Sequence, residues 1–359
     1  MNVTDLTTLG WGDFFETNFK LFEQDGYVPG RVFLEHKGFF RVYTQYGEML
    51  AEISGKLRHE APNRSDLPAV GDWTVITPRP EGDRAMIHAV LPRRTSFTRK
   101  IAGSRTEQQI VGANIDTVFL LTSLNQDFNL RRIERYLILA WESGANPIIV
   151  LSKSDLCERV EDRVSEVESI TRAVPIHVVS VVTGFGLQDL AQYFGRGQTV
   201  ALLGSSGVGK STLINHLAGM DLKVQTVREH DDRGRHTTTH RELVLLPGGG
   251  GLVLDTPGMR ELQLWEGEES LPVVFEDIEV LADECFFSDC RHQDEPRCAV
   301  REALAAGSID TTRYESYEKL QKELNYLARR KDKRYAIAEK QKWKKLSRMA
   351  TERAREKRR

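Results

Sequence analysis

Eight consecutive residues constrain this chain more than any other feature. Gly204-Ser205-Ser206-Gly207-Val208-Gly209-Lys210-Ser211, followed by Thr212, matches the phosphate-loop pattern G-x-x-x-x-G-K-[ST] in full. The pattern works only in one context: a buried strand, a glycine-rich turn, then the start of a helix. The apolar run Thr199–Leu203 supplies the strand, and 211–218 reads as the helix. The glycines let backbone N–H groups curl around phosphate oxygens, and the helix start adds the positive end of its dipole. Lys210 is expected to reach the β- and γ-phosphates and Ser211 to hold Mg²⁺. A strand–loop–helix of this kind needs a parallel sheet around it.

The neighbouring sequence supplies one. From Ile115 to Leu264, apolar strands (115–121, 147–151, 176–181, 199–203, 242–246, 252–254) alternate with helical segments (130–141, 158–172). Asp255-Thr256-Pro257-Gly258 follows the strand 252–254, about fifty residues after the phosphate loop. There Asp255 reads as a Mg²⁺-side carboxylate and Gly258 as the N–H that senses the γ-phosphate. Between the two motifs lies Arg235-His236-Thr237-Thr238-Thr239-His240. A switch loop needs a Thr hydroxyl that reaches Mg²⁺ only when the γ-phosphate is present. Thr238 is the candidate, with Thr237 and Thr239 as alternatives.

The base-reading element stands upstream. Ser152-Lys153-Ser154-Asp155 follows the strand 147–151. Asp155 can accept both donors on guanine's N1 and exocyclic N2, a pair that adenine lacks. Lys153 can lie against the base or brace the phosphate loop. Ser180-Val181 can offer a backbone N–H to guanine O6. These are the elements of a GTPase in rotated order, with base-reading motifs at 152 and 180 preceding the phosphate loop at 204. Two positions depart from the common pattern. Ser152 stands where Asn is usual, and Met259 stands where many GTPases place a water-orienting Gln. His236, as a neutral imidazole, is the candidate to orient or deprotonate the attacking water.

With 359 residues, 40% hydrophobic and 28% charged, the composition is that of a folded soluble chain of two or three domains. No apolar run approaches a membrane span, and 1–10 lacks the charge and apolar pattern of a secretory signal. Residues 1–26 form an N-terminal extension whose Trp11, Phe14, Phe15, Phe19 and Phe22 suggest a short amphipathic helix packed on the protein's own core. Residues 27–91 read as five short strands (28–34, 39–43, 49–54, 72–77, 85–91), a small OB-fold barrel of a kind that often binds RNA. Residues 92–114, with Arg93, Arg94, Arg99, Lys100 and Arg105, read as a basic linker. The α/β domain is assigned 115–268, a metal module 269–312, and a helical basic tail 313–359. From 328 to 359 there are 15 Lys and Arg against 4 Asp and Glu, while the other 327 residues sum to −13. That asymmetry favours a polyanionic partner.

Cys285-x4-Cys290-x-His292-x5-Cys298 offers three thiolates and one imidazole, the donor set of a closed tetrahedral zinc site. Cys157, far away in sequence, reads as an ordinary half-buried thiol. The clustering suits a reducing compartment better than a disulfide framework.

Barrel, rotated GTPase elements and cysteine cluster, in this order, resemble the circularly permuted ribosome-assembly GTPases, the ribosome small subunit-dependent GTPase A family. The phrases 204–211 and Gly234-Arg-His-Thr-Thr-Thr-His240 carry the resemblance most specifically. It implies a cytoplasmic, monomeric GTPase with one Zn²⁺ per chain and Mg²⁺ bound with GTP. It also implies binding to the 30S subunit and its 16S rRNA during late maturation, with subunit-stimulated hydrolysis driving release. The family likewise implies the water-orienting role for His236. Because Asp255 runs straight into the C-terminal region, nucleotide state is expected to reach the metal module. Two other readings stay open: an RNA-binding assembly chaperone in which nucleotide is mainly a structural ligand, and a P-loop ATPase acting on other RNA, which Asp155 opposes.

Overall fold

The computed structural model describes residues 4–36, 38–79, 84–100, 108–171, 174–217, 241–255 and 270–326. The chain divides into two compact units, Met1–Gln263 and Leu264–Arg359.

The first unit begins with helix α1 (Asp13–Phe19), which buries Phe15 and Phe19. Trp11 meets Trp73 edge-on at 4.7 Å, and Phe15 lies 5.8 Å from the same ring. Trp11, Phe15 and Phe19 therefore pack on the core as their spacing suggested, whereas Phe14 is exposed and Phe22 half-buried. Five strands follow: β1 (Val28–His36), β2 (Phe39–Thr44), β3 (Gly47–Ile53), β4 (Trp73–Pro78) and β5 (Arg84–Val90). A short helix, α2 (Gly55–Glu60), with Ser54 as its N-cap, separates β3 from β4. The strands run in the order β1-β2-β3-β5-β4, and β4 pairs back onto β1, which closes the barrel. Alternate residues point inward, so Val32, Phe40, Val42, Met49, Ala51, Ile76, Ala85 and Ile87 fill one interior.

The segment expected to be a linker is a β-hairpin instead. β6 (Ser96–Lys100) pairs antiparallel with β7 (Gln108–Ala113). Phe97 and Ile110 are its buried anchors. Its first two arginines are spent inside the unit. Arg93 makes a bidentate ion pair with the buried Asp72 at 2.7 Å and also donates to the Ser65 and Leu67 carbonyls. Arg94 pairs with Asp116 at 2.9 Å.

The α/β sheet comprises β8 (Thr117–Ser123), β9 (Asn146–Ser152), β10 (Ile176–Val178), β11 (Thr199–Gly204), β12 (Glu242–Leu245) and β13 (Leu252–Asp255). Their order is β10-β9-β8-β11-β13-β12, parallel except for β12. β8 and β11 are buried along their whole length, as strands covered on both faces must be. Helices α3 (Leu130–Ser143), α4 (Val160–Glu168), α5 (Leu187–Leu190) and α6 (Lys210–Leu217) connect them. β12 also meets β1 at Leu34 and Glu242, so the sheet continues into the barrel.

Arg31 ties these parts together. It lies on β1, is 1% exposed, and donates to the carbonyls of Gly71, Leu9 and Asn114 and to the Thr199 hydroxyl at the start of β11.

The second unit packs α7 (Leu271–Val274), α8 (Glu276–Asp283), α9 (Ala299–Ala306) and α10 (311–326) around Phe275, Ile278, Val300, Tyr317 and Leu320. Arg313 grips Asp277 through two bonds of 2.6 and 2.7 Å and lies over the Phe275 ring. Among the described residues no helix is long and apolar enough to cross a membrane.

Candidate nucleotide site and metal cluster

In a parallel sheet the loops after the strands gather along one edge, where ligands bind. Here the turns after β8, β9, β10 and β11 meet there. β11 ends at Gly204, the loop covers 205–209, and α6 starts at Lys210. A Cβ on Gly204 would stand 2.6 Å from the Leu121 carbonyl oxygen, so only glycine lets the two strands approach. Gly209 turns the chain with φ +102°, which side chains resist. The Lys210 ammonium donates to the Gly204 and Ser205 carbonyls at 2.7 and 2.6 Å, so it spans the loop it is expected to serve.

The upstream motif reaches the same loop. Ser152, buried at the end of β9, donates its hydroxyl to the Val208 carbonyl at 2.8 Å. Lys153 takes a left-handed conformation, φ 59°, and so redirects the chain into the turn that carries Asp155. The Asp155 carboxylate accepts from the Ser180 hydroxyl, which fastens the β9 turn to the β10 turn. The Ser180 backbone N–H is committed to the Phe185 carbonyl at 3.0 Å. Of the pair Ser180-Val181, the candidate to offer a backbone N–H is then Val181, whose side chain packs partly buried on the core.

One brace escaped the sequence reading. The Asp127 carboxylate accepts from the Ser205 hydroxyl and pairs with Arg132 at 2.7 Å. Those two partners, Ser205 first, hold the carboxyl below its ordinary range. A polar stretch after a buried parallel strand, Asn125–Asn129 after β8, was the available signal. Within it, Asn129 caps α3 by accepting from the Arg132 N–H at 3.0 Å.

The structure thus brings together Ser152, Asp155, Ser180 and the loop 204–211, with Thr212 in the first turn of α6. Asp255 ends β13, beside β11. His236, Thr238, Gly258 and Met259 lie outside the described residues, as does the tail from 327 onward.

The second unit gathers its four candidate ligands. One donor atom from each of Cys285, Cys290, His292 and Cys298 lies within 4.8 Å of all the others. The Cys285 and Cys298 sulfurs are 3.8 Å apart, and His292 Nδ1 stands 3.6 and 3.4 Å from them. A disulfide needs about 2.05 Å. A tetrahedron with metal–sulfur bonds of about 2.3 Å has sulfur–sulfur edges of about 3.8 Å, which the pair matches. His292 and Arg297 adopt left-handed backbone, φ 59° and 58°, which aims the ligands inward. Cys298 is the N-cap residue of α9. Burial raises the Cys285 thiol, but the Val300 and Ala299 N–H groups and the neighbouring thiols outweigh it and favour thiolate. Burial and the adjacent sulfurs push the Cys290 thiol up to about 11. A cation among the four would favour the deprotonated form of both. The cluster could hold one metal ion with no open position.

The sheet order, the rotated motif order and the barrel define a circularly permuted P-loop GTPase. Comparison with known proteins agrees. The family model described as RsgA GTPase matches residues 90–265, and one described as 50S ribosome-binding GTPase matches 199–340, starting at β11. A relative from Opitutus terrae, described as small ribosomal subunit biogenesis GTPase RsgA, is 50% identical over 354 residues and 95% of each chain. One from Oceanobacillus iheyensis, RsgA 1, is 46% identical over 90% of this chain and 93% of its own. The crystal structure of YjeQ from Thermotoga maritima superposes with a TM-score of 0.61 at 30% identity, covering 83% of this chain and 98% of that one. YloQ, described as a circularly permuted GTPase, gives 0.59 at 26% identity, covering 83% and 95%. The chain belongs to the RsgA GTPase family.

Proposed function

We propose that this GTPase binds the small ribosomal subunit, contacts its 16S rRNA and hydrolyses GTP late in subunit maturation, with hydrolysis releasing it. One observation carries the partner: relatives matching 95% of the chain are described as small ribosomal subunit biogenesis GTPases. The family model that names the 50S subunit matches only 199–340, so the whole-chain relatives weigh more. The basic tail supports a ribonucleic acid partner.

In this reading Asp155 and the Val181 N–H select guanine, and Ser152 holds the base-reading turn against the phosphate loop. Lys210 exchanges its carbonyl partners for β- and γ-phosphate oxygens. Ser211, Thr238 and Asp255 would hold Mg²⁺, which neutralises charge on the phosphates. His236 orients the attacking water, because Met259 cannot hydrogen-bond to it. Gly258 senses the γ-phosphate. Cys285, Cys290, His292 and Cys298 hold one structural Zn²⁺. The protein works as a monomer in the cytoplasm.

The test is GTP turnover alone, with purified small subunits, and with large subunits. Stimulation by small subunits only, lost in His236→Ala while mant-GDP binding persists, is the expected result. No stimulation in protein that still binds GTP would replace this reading with that of an RNA-binding chaperone. Stimulation by large subunits alone would reverse the partner.

A further inference from the structure

Ser205 is held from both sides. Its carbonyl accepts from the Lys210 ammonium at 2.6 Å, and its hydroxyl donates to the Asp127 carboxylate. The phosphate-loop pattern leaves its second position open, so it does not by itself explain a hydroxyl there. Asp127 is fixed before it reaches the loop. Its backbone N–H donates to the Asn125 side-chain oxygen at 3.0 Å, and the Ser123 hydroxyl at the end of β8 donates to the same oxygen at 2.8 Å. Arg132, on α3, donates to the Asp127 carbonyl at 3.3 Å and to its carboxylate at 2.7 Å. From α4 the Arg163 guanidinium lies over the Phe128 ring, 4.7 Å from its centre. The carboxylate therefore reaches Ser205 on a loop tied to β8, α3 and α4. Ser205 first, then Arg132, favour its charged form, burial opposes them, and the Lys153 ammonium of the base-reading turn adds its field. The base-reading and phosphate-binding elements thus converge on one charge.

We propose that Asp127 is a positioning residue for the nucleotide, keeping Ser205 in place when Lys210 leaves the loop carbonyls for the phosphates. The inference rests on the nucleotide chemistry proposed above and names what keeps the loop in shape during that exchange. In the empty site Lys210 and Asp127 share the hold on Ser205, so the loss of one is cushioned by the other. Once Lys210 turns to the β- and γ-phosphates, the Gly204 and Ser205 carbonyls give up its ammonium, and the hydroxyl tie to Asp127 remains. Loop N–H groups bind phosphate only while they are aimed at it, and in a reacting geometry a misplacement of about 1 Å can cost about 100-fold. Loss of Asp127 therefore weighs more on the loaded protein than on the empty one, whereas a purely structural brace weighs equally on both.

The test uses the full chain with mant-GDP and Mg²⁺ in stopped flow, beside thermal melts with and without a fixed concentration of GDP. Asp127→Ala should bind mant-GDP about tenfold more weakly, the scale of one charge-assisted hydrogen bond, with the change in the dissociation rate. Without nucleotide its melting temperature should fall by no more than about 4 °C. The upward shift on adding GDP should shrink. Ser205→Ala should show the same loss of affinity, and the double variant no more than either, because the two residues act as one contact. Asp127→Asn keeps an acceptor for Ser205 and should recover part of the affinity. If Asp127→Ala fails to fold, Asp127→Asn and Ser205→Ala carry the same comparison. Additive losses in the double variant would refute the route through Ser205. Unchanged dissociation in the variants, or a fall in melting temperature that is equal with and without GDP, would overturn the assignment and leave Asp127 a structural brace. A wild-type chain that binds no mant-GDP would overturn the nucleotide site on which the inference rests.

Discussion

The Ser152 hydroxyl donates to the Val208 carbonyl at 2.8 Å, so the strand that ends in the base-reading turn is bolted to the middle of the phosphate loop. An Asn at this position would be expected to do two jobs, contacting guanine and bracing the loop. The Ser here does the second. Ser152→Ala should leave a buried carbonyl without its donor, at a cost of about 1–2 kcal/mol. The expected outcome is mant-GDP affinity weaker by roughly five- to thirtyfold. Discrimination against adenine nucleotides should persist, because Asp155 is untouched. Equal GDP affinity in variant and wild type would show that the brace does not hold the binding geometry.

Asp127 braces the same loop from the other side, and its effect should depend on pH. Its carboxyl is held below the ordinary value of 3.8 by Ser205 and Arg132. A depressed carboxylate stabilises the fold above its unfolded pKa and loses that contribution as pH falls through the folded value. Asp127→Asn keeps an oxygen that can accept from Ser205 and removes only the charge. Thermal melts should show the variant less stable by under about 1 kcal/mol at pH 5–7, since the pair is partly exposed. The gap should narrow as pH falls below the ordinary carboxylate value of 3.8 and close once the folded carboxyl is protonated. A gap that stays constant from pH 7 to pH 3 would mean that the carboxylate charge contributes nothing there.

Much of this architecture is legible from local pattern. The barrel strands were expected within a few residues of where they lie, because period-two alternation and glycine or proline breaks mark them. The phosphate loop announces its own strand and helix. What stayed hidden depends on distant partners. β6 and β7 read as linker because their few apolar residues, Phe97 and the pair Ile110-Val111, stand among arginines and glutamines, and pairing gives them their burial. The strand expected over 176–181 stops at Val178, where the chain turns so that the Ser180 hydroxyl can meet Asp155. Arg93 reads as solvated charge until Asp72, twenty-one residues away, is seen to take it. Asp127 reaches Ser205 across 78 residues.

The metal cluster makes a stoichiometric prediction. Purified protein should contain one zinc per chain, and Cys298→Ser should contain far less. Structural zinc contributes on the order of 10 kcal/mol to modules of this size. Cys298 is a candidate ligand at the N-cap position of α9, so amide exchange across 299–306 should rise sharply in the variant. Wild-type protein purified without chelators that carries no zinc would remove the assignment.

Arg31 makes the strongest stability prediction. Burial lowers its pKa to about 10, with Asp116 opposing, Arg94 adding to the shift and Asp72 opposing, so it stays cationic at neutral pH. Asp116 and Asp72 act at a distance; its direct partners are three carbonyls and the Thr199 hydroxyl. Those partners lie on the N-terminal segment, the turn before β4, the turn before β8 and β11 itself. Arg31→Met keeps much of the volume and removes every donor, so the Leu9 and Asn114 carbonyls and the Thr199 hydroxyl lose the guanidinium, while the Gly71 carbonyl keeps the Asn114 side-chain amide at 3.1 Å. Each buried acceptor left without its donor costs about 1–3 kcal/mol. Arg31→Lys preserves the charge but presents a single nitrogen where the guanidinium offers a planar fork, so it should recover part of that loss and not all of it. Urea denaturation should rank wild type above Arg31→Lys above Arg31→Met, with a loss of at least about 3 kcal/mol for the last, about 1 kcal/mol or more for each of three acceptors. A loss under about 1 kcal/mol in Arg31→Met would mean that water replaces the guanidinium without strain. The barrel would then be held by apolar packing, the β1–β12 pairing and the remaining polar ties, among them Arg41 to Glu242 and the Asn114 amide to the Gly71 carbonyl.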